Sequence, residues 1–136
     1  QSFGIAVAQE NVNQFRSEDP EFIARMRKQL GEECAFVFDI KQAVRAGKDP
    51  FAMCRAMGDR LVHLHINDNV PGADCLLPGC GTMAYERLLD LLRDSSYAGD
   101  LIIEVYRKNF GEPRELLAAK ERVESLCRSY SERVSG

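Results

Sequence analysis

Glu10, Asp39, His65 and Glu104 are residues of the kinds that hold divalent metal ions, and each stands at the end of, or within, a short apolar run. The runs cover residues 4–10, 35–39, 61–66 and 101–105. Alternation along an extended chain puts Glu10 on one face with Ala8, Ala6 and Gly4, and Asp39 with Val37 and Ala35, small residues suited to a crowded interior. A carboxylate buried alone is costly and several converging ones repel, so a divalent cation among them is the economical arrangement. Three carboxylates and one neutral imidazole suit Mn²⁺ best, with Mg²⁺, Co²⁺ or Zn²⁺ as alternatives. Read singly, the acids are strand-end residues that cap the helices after them, and His65 is a hydrogen-bonded core histidine. Their equivalent placement in successive runs favours the joint reading.

To gather four strand ends, the segments between them must return the chain to the same end each time. Ser17, Glu18, Asp19 and Pro20 open a helix carrying Phe22, Ile23, Met26 and Leu30, and Gly31 closes it. Asp49, Pro50 and Gly58 repeat these start and stop signals. A third amphipathic helix is expected over residues 84–94, and a fourth from Pro113 carries Leu116, Leu117, Val123, Leu126 and Cys127. Strand and helix alternating four times predict a parallel α/β architecture. A (β/α)₈ TIM-type barrel takes about 250 residues, so four βα units in 136 make half of one. An open four-stranded parallel sheet is the alternative. The whole chain, 1–136, is expected to be a single unit. It opens on Gln1 almost directly into a strand, which suggests the carboxyl-terminal half of a longer barrel domain.

Composition narrows the classes. A formal charge of -3 without a cluster of Lys and Arg argues against a nucleic-acid partner. No apolar run reaches membrane-spanning length, so no membrane partner is expected, and five cysteines without a CxxC spacing fit reduced thiols in a cytoplasm.

The segments Ala8-Gln9-Glu10-Asn11, Phe38-Asp39, His63-Leu64-His65-Ile66-Asn67-Asp68 and Ile103-Glu104-Val105 occur in this order along nearly the whole chain. With the loop Pro78-Gly79-Cys80-Gly81 and the stretch Tyr97-Ala98-Gly99-Asp100, they resemble the second half of the sugar phosphate isomerase/epimerase family of xylose isomerase-like barrels. The resemblance implies that Glu10, Asp39, His65 and Glu104 are the four metal ligands and that Glu10 and Glu104 double as the acid/base pair. It implies a small sugar or sugar-phosphate substrate, isomerised or epimerised by proton transfer next to a carbonyl. A dehydratase of the inosose type, or an inactive fragment lacking half its pocket, are the rival readings.

Departures from the family pattern fall near the site. Gln42 stands where the epimerases place a substrate-binding histidine, and Val70 and Pro71 lie where an arginine is usual. The His-x-Asn-Asp stretch is shared with apurinic endonucleases, but Gln42 and Asp74-Cys75-Leu76 replace ligands those zinc enzymes need. Gln42 and Asp68 are the candidate substrate contacts, with a helix start and a capping or His65-orienting role as their structural alternatives. His63 is expected to be structural, Gly79 and Gly81 to shape a tight loop, and Arg107 and Lys108 are weak candidates for phosphate. A half barrel leaves two strand edges open, so either a missing amino-terminal half or a second copy of the chain is expected to complete the ring.

Overall fold

The computed structural model describes residues 4–136. Its first strand, β1 (Gln9–Glu10), is much shorter than the run expected from Gly4. Gln9 pairs with Phe36, the first residue of β2 (Phe36–Asp39), so the ladder between the two strands begins there. No described strand flanks the other side of β1, and Ile5 and Val7 stand exposed there. Between these strands lies α1 (Pro20–Leu30). The Asp19 carboxylate accepts from the Glu21 N–H, proline fills the first turn, and Gly31 ends the helix at φ 55°.

Directly after Asp39 comes α2 (Ile40–Arg45), a short helix that no start or stop signal in the sequence announces. The next helix, α3 (Pro50–Met57), repeats the devices of α1: Asp49 accepts from the Phe51 N–H, and Gly58 ends it at φ 52°. It leads into β3 (Leu61–Ile66), where the expected and observed limits coincide. An unanticipated antiparallel hairpin then follows, β4 (Asp68–Val70) and β5 (Ala73–Leu76). Its turn is Pro71-Gly72, where proline presets φ and glycine takes φ 86°. The remaining elements are α4 (Tyr85–Asp94), β6 (Asp100–Ile103) and α5 (Pro113–Ser135). The last strand begins one residue before the expected run. Glu104 falls just beyond its end, although the Glu104 N–H continues the ladder to the Ile66 carbonyl at 3.2 Å.

The four main strands form one parallel sheet in the order β1-β2-β3-β6. Order in space follows order in sequence, as in a barrel wall, with no reversal of the kind that marks a doubly wound sheet. Phe36 and Phe38 of β2 and Leu64 and Ile66 of β3 join one core with Ile23 of α1, Met53 and Met57 of α3, and Leu88 and Leu92 of α4. The opposite face carries Val37, Asp39, His63, His65 and Ile102, where Val37 pairs with His63 and Asp39 with His65. The architecture is therefore a partial (β/α) barrel, helices outside and the polar row inside. No described helix is long and apolar enough to cross a membrane.

Phe38 is fully buried between the sheet and the helices, one residue from Asp39. Phe38→Ala removes the ring without giving the wall a way to collapse, and should cost about 3–5 kcal/mol in denaturant unfolding. A loss under about 1 kcal/mol would contradict a packed wall at this position.

Candidate metal centre

Parallel strands in sequential order deliver their carboxyl ends to one rim, and that geometry assembles the quartet. Glu10 ends β1, Asp39 ends β2, His65 lies one residue before the end of β3, and Glu104 follows β6. Each offers one ligand atom, and these four atoms all lie within 4.8 Å of one another. Nδ1 of His65 is the hub, 2.7 Å from Oε2 of Glu104, 3.5 Å from Oε1 of Glu10 and 3.9 Å from Oδ2 of Asp39. Asp39 is completely buried, while the other three are partly open to the inner face.

Lys41, the second residue of α2, turns its side chain into this group and is itself only 2 % exposed. Its Nζ lies 3.1 Å from Oδ2 of Asp39 and 3.3 Å from Oε2 of Glu104. Those two oxygens and Nδ1 of His65 are nonetheless buried without an aligned hydrogen bond. The ammonium therefore compensates charge by proximity, and three inward-facing lone-pair atoms remain without a directional partner. Such a set fits a metal ion, whose ligand bonds use those lone pairs.

The charges pull the acids in different directions. Burial pushes Glu10 up, and Asp39 and Glu104 beside it add to the rise against the opposing pull of His65 and Lys41. Burial likewise raises Asp39 more than Lys41 and Asn67 lower it. In Glu104 burial also pushes upward, but Lys41 and the other rim groups beside it together outweigh that, leaving the group below the usual carboxylate range. Burial would lower Lys41, and its two carboxylate neighbours more than offset that.

Asparagines lock the rim. Asn11 is fully buried, and its side chain both accepts from the Asp39 N–H at 2.8 Å and donates to the Asp39 carbonyl at 2.9 Å. It thus extends the β1–β2 ladder one step further through a side-chain amide. Asn67 donates to Oδ1 of Asp39 at 3.2 Å, which fixes the carboxylate with Oδ2 turned toward Lys41 and His65.

A family model described as xylose isomerase-like TIM barrel matches residues 1–128. The chain belongs to that family. Among solved structures, a D-tagatose 3-epimerase-like protein superposes with a TM-score of 0.75 at 25% identity, over 96% of this chain and 50% of that one. Rhizopine catabolism protein MocC of Rhizobium meliloti is 26% identical over 144 residues, 93% of this chain and 44% of its own length. Uncharacterized protein ML2432 of Mycobacterium leprae is 35% identical over 77 residues, 55% of this chain and 28% of its own. The chain thus spans half or less of the length of the proteins it matches.

In this xylose isomerase-like wall the other sequence candidates have structural partners. The Asp68 carboxylate is 1% exposed and accepts from the N–H groups of Asn69, Gly79 and Met83, so it anchors the loop at residues 78–83 to the hairpin. These three bonds are the anchoring alternative to the substrate contact expected of it. Oε1 of Gln42 accepts from the Asn13 N–H at 3.1 Å and tethers the segment after Glu10. Gly81 is needed because a Cβ there would overlap the Asn69 carbonyl and the Asp68 carboxylate. His63 packs edge-on against His65 with ring centroids 5.2 Å apart. Arg107 donates to the carbonyls of Phe110 and Gly111, and Lys108 lies over the Tyr106 ring.

Two residues central to this geometry escape a sequence reading. Asn11 appears in the sequence only as the neighbour of Glu10, and nothing in the sequence singles out Lys41 beyond its place two residues after Asp39. Asn11→Ala strips a buried backbone N–H and a buried carbonyl of their partners and should destabilise the chain by about 2–4 kcal/mol in urea unfolding. An unchanged midpoint would contradict the bridging role.

Proposed function

We propose that this chain carries the divalent-metal centre of a carbohydrate isomerase or epimerase. Glu10, Asp39, His65 and Glu104 are its ligands, and Glu10 and Glu104 serve also as the acid/base pair. The observation that carries the reading is the convergence of those four side chains, with buried lone pairs left unaligned, at the carboxyl rim of a wall in this family. The D-tagatose 3-epimerase-like neighbour favours a small ketose, with or without phosphate, as substrate. Mn²⁺ is the ion best suited to three carboxylates and an imidazole.

A bound dication supplies a Lewis acid for a carbonyl oxygen and its neighbouring hydroxyl. The protein's own share follows from strand order. Glu10 and Glu104 come from the two outer strands and flank the Asp39–His65 pair of the two inner ones. A sugar carbon held over that pair has one carboxylate to each side. One takes the proton from the carbon next to the carbonyl and the other returns a proton from the opposite face, inverting that centre with no change in oxidation state. Asn67 and Asn11 hold Asp39 still while this happens. Closing the barrel over the substrate calls for four further βα units, supplied by the rest of a longer polypeptide or by a second copy of this chain.

Metal binding alone should be visible in a thermal melt. Mn²⁺ at about 100 times its dissociation constant adds roughly 2.7 kcal/mol to the folded state, and Asp39→Asn should abolish the rise in Tm. No rise with Mn²⁺, Mg²⁺, Co²⁺ or Zn²⁺ would contradict the metal centre.

Turnover is tested by incubating ketoses with the Mn²⁺-loaded protein in D₂O and following exchange by NMR. One deuterium should enter at the carbon beside the carbonyl, and Glu104→Gln should slow this by about 10²-fold or more. Loss of water from the sugar in place of exchange would overturn the isomerase reading in favour of a dehydratase.

A further inference from the structure

Lys41 is the one group at the rim that the metal and acid/base roles leave unused. A lysine is among the side chains least often buried, because its charge must leave water and its long stem loses rotamer freedom. Here the chain provides a seat for it. The Tyr106 ring lies under the ammonium, with Nζ 5.0 Å from its centroid. Arg45, one turn further along α2, holds that ring by donating to the Tyr106 hydroxyl at 3.0 Å. Arg45 is fixed in turn by two hydrogen bonds to Asp74 of the hairpin, at 2.6 and 3.1 Å. The arrangement runs from β5 through Arg45 and Tyr106 to Lys41.

The ammonium shares its oxygens with the metal ligands. Oδ2 of Asp39 and Oε2 of Glu104 each lie near both Nζ of Lys41, at 3.1 and 3.3 Å, and Nδ1 of His65, at 3.9 and 2.7 Å. In a two-ion centre, carboxylates placed between two positive charges would bridge two metals. Here one of the two positions is filled by a side chain. We propose that Lys41 is the resident counter-cation of this centre, standing in for a second metal ion between Asp39 and Glu104, so that the quartet takes a single dication. This rests on the metal-centre reading above. Three carboxylates, one ammonium and one dication leave the centre neutral, whereas a second dication would leave it strongly positive. The same fixed charge repels the ion that does bind, so it weakens that ion's affinity while enforcing the stoichiometry.

The test is equilibrium dialysis of the chain against Mn²⁺ near pH 8, with metal analysis, on the wild type, Lys41→Met and Lys41→Arg. The wild type should hold one Mn²⁺ per chain. Lys41→Met should bind a second ion or bind the first at least about tenfold more tightly, because a unit positive charge has left the first coordination sphere's edge. Lys41→Arg, which keeps the charge, should retain one ion at close to wild-type affinity. A lysine that merely props the rim would give the opposite sign, since its loss would loosen the ligands and weaken binding. One ion bound by Lys41→Met with unchanged or lower affinity would therefore overturn the proposal, and so would two ions in the wild type, a result that needs no variant to fold. A wild type that binds no Mn²⁺ would sink the metal centre itself and this inference with it.

Discussion

Three carboxylates are held within reach of one another at the rim of a four-stranded parallel sheet, and like charges so close in a partly desolvated place repel unless a cation stands among them. The rest of the structure answers that constraint. The core of Phe36, Phe38, Leu64 and Ile66 against Ile23, Met53, Met57 and Leu88 fixes where the strands end. The Asn11 and Asn67 amides fix how Asp39 is presented. Lys41, entirely buried, supplies one positive charge, and the unaligned lone pairs of Asp39, His65 and Glu104 leave room for more. Repulsion that would destabilise an empty rim is what would give the proposed centre its affinity for a dication.

The hairpin and the segment after Glu104 bear on the same point from outside the sheet. Asp68 anchors the loop at residues 78–83 through three backbone donors, while Asp74 on the other hairpin strand restrains Arg45 and, through it, the Tyr106 ring against Lys41. A mutation in the hairpin can thus reach the centre without touching a ligand.

The wall was legible in the sequence because each of its parts has a local cause. Asp-Pro starts and glycine stops frame α1 and α3, and the quartet that converges at the rim shows because each member closes or interrupts an apolar run. What escaped has no such local cause. The α2 helix has no cap box and no amphipathic length, and it forms because Ile40 and Ala43 bury themselves in the common core. The hairpin rests on Pro71-Gly72, a turn signal whose flanks Asp68–Val70 and Ala73–Leu76 are too short and mixed to read as strands. β1 is short because a strand needs a neighbour, and its ladder with β2 begins only where Gln9 meets Phe36. The anchoring bonds of Asp68 were not legible, because their Gly79 and Met83 donors lie 11 and 15 residues further along the chain. Lys41 could not be picked out, since burial of a lysine depends on partners 63 residues away.

The inner face remains the open side of the wall, with Ile102 and Tyr106 exposed along it and the edges of β1 and β6 unpaired by any described strand. The central claim is that this face ends in a metal centre made by four named side chains. The most direct measurement is a crystal structure of the Mn²⁺-soaked chain with anomalous differences at a wavelength where manganese scatters strongly. The account predicts one peak per chain, within bonding distance of Glu10, Asp39, His65 and Glu104 and on the far side of their shared oxygens from Lys41. A peak ligated by other residues, or none at this rim under saturating Mn²⁺, would contradict it.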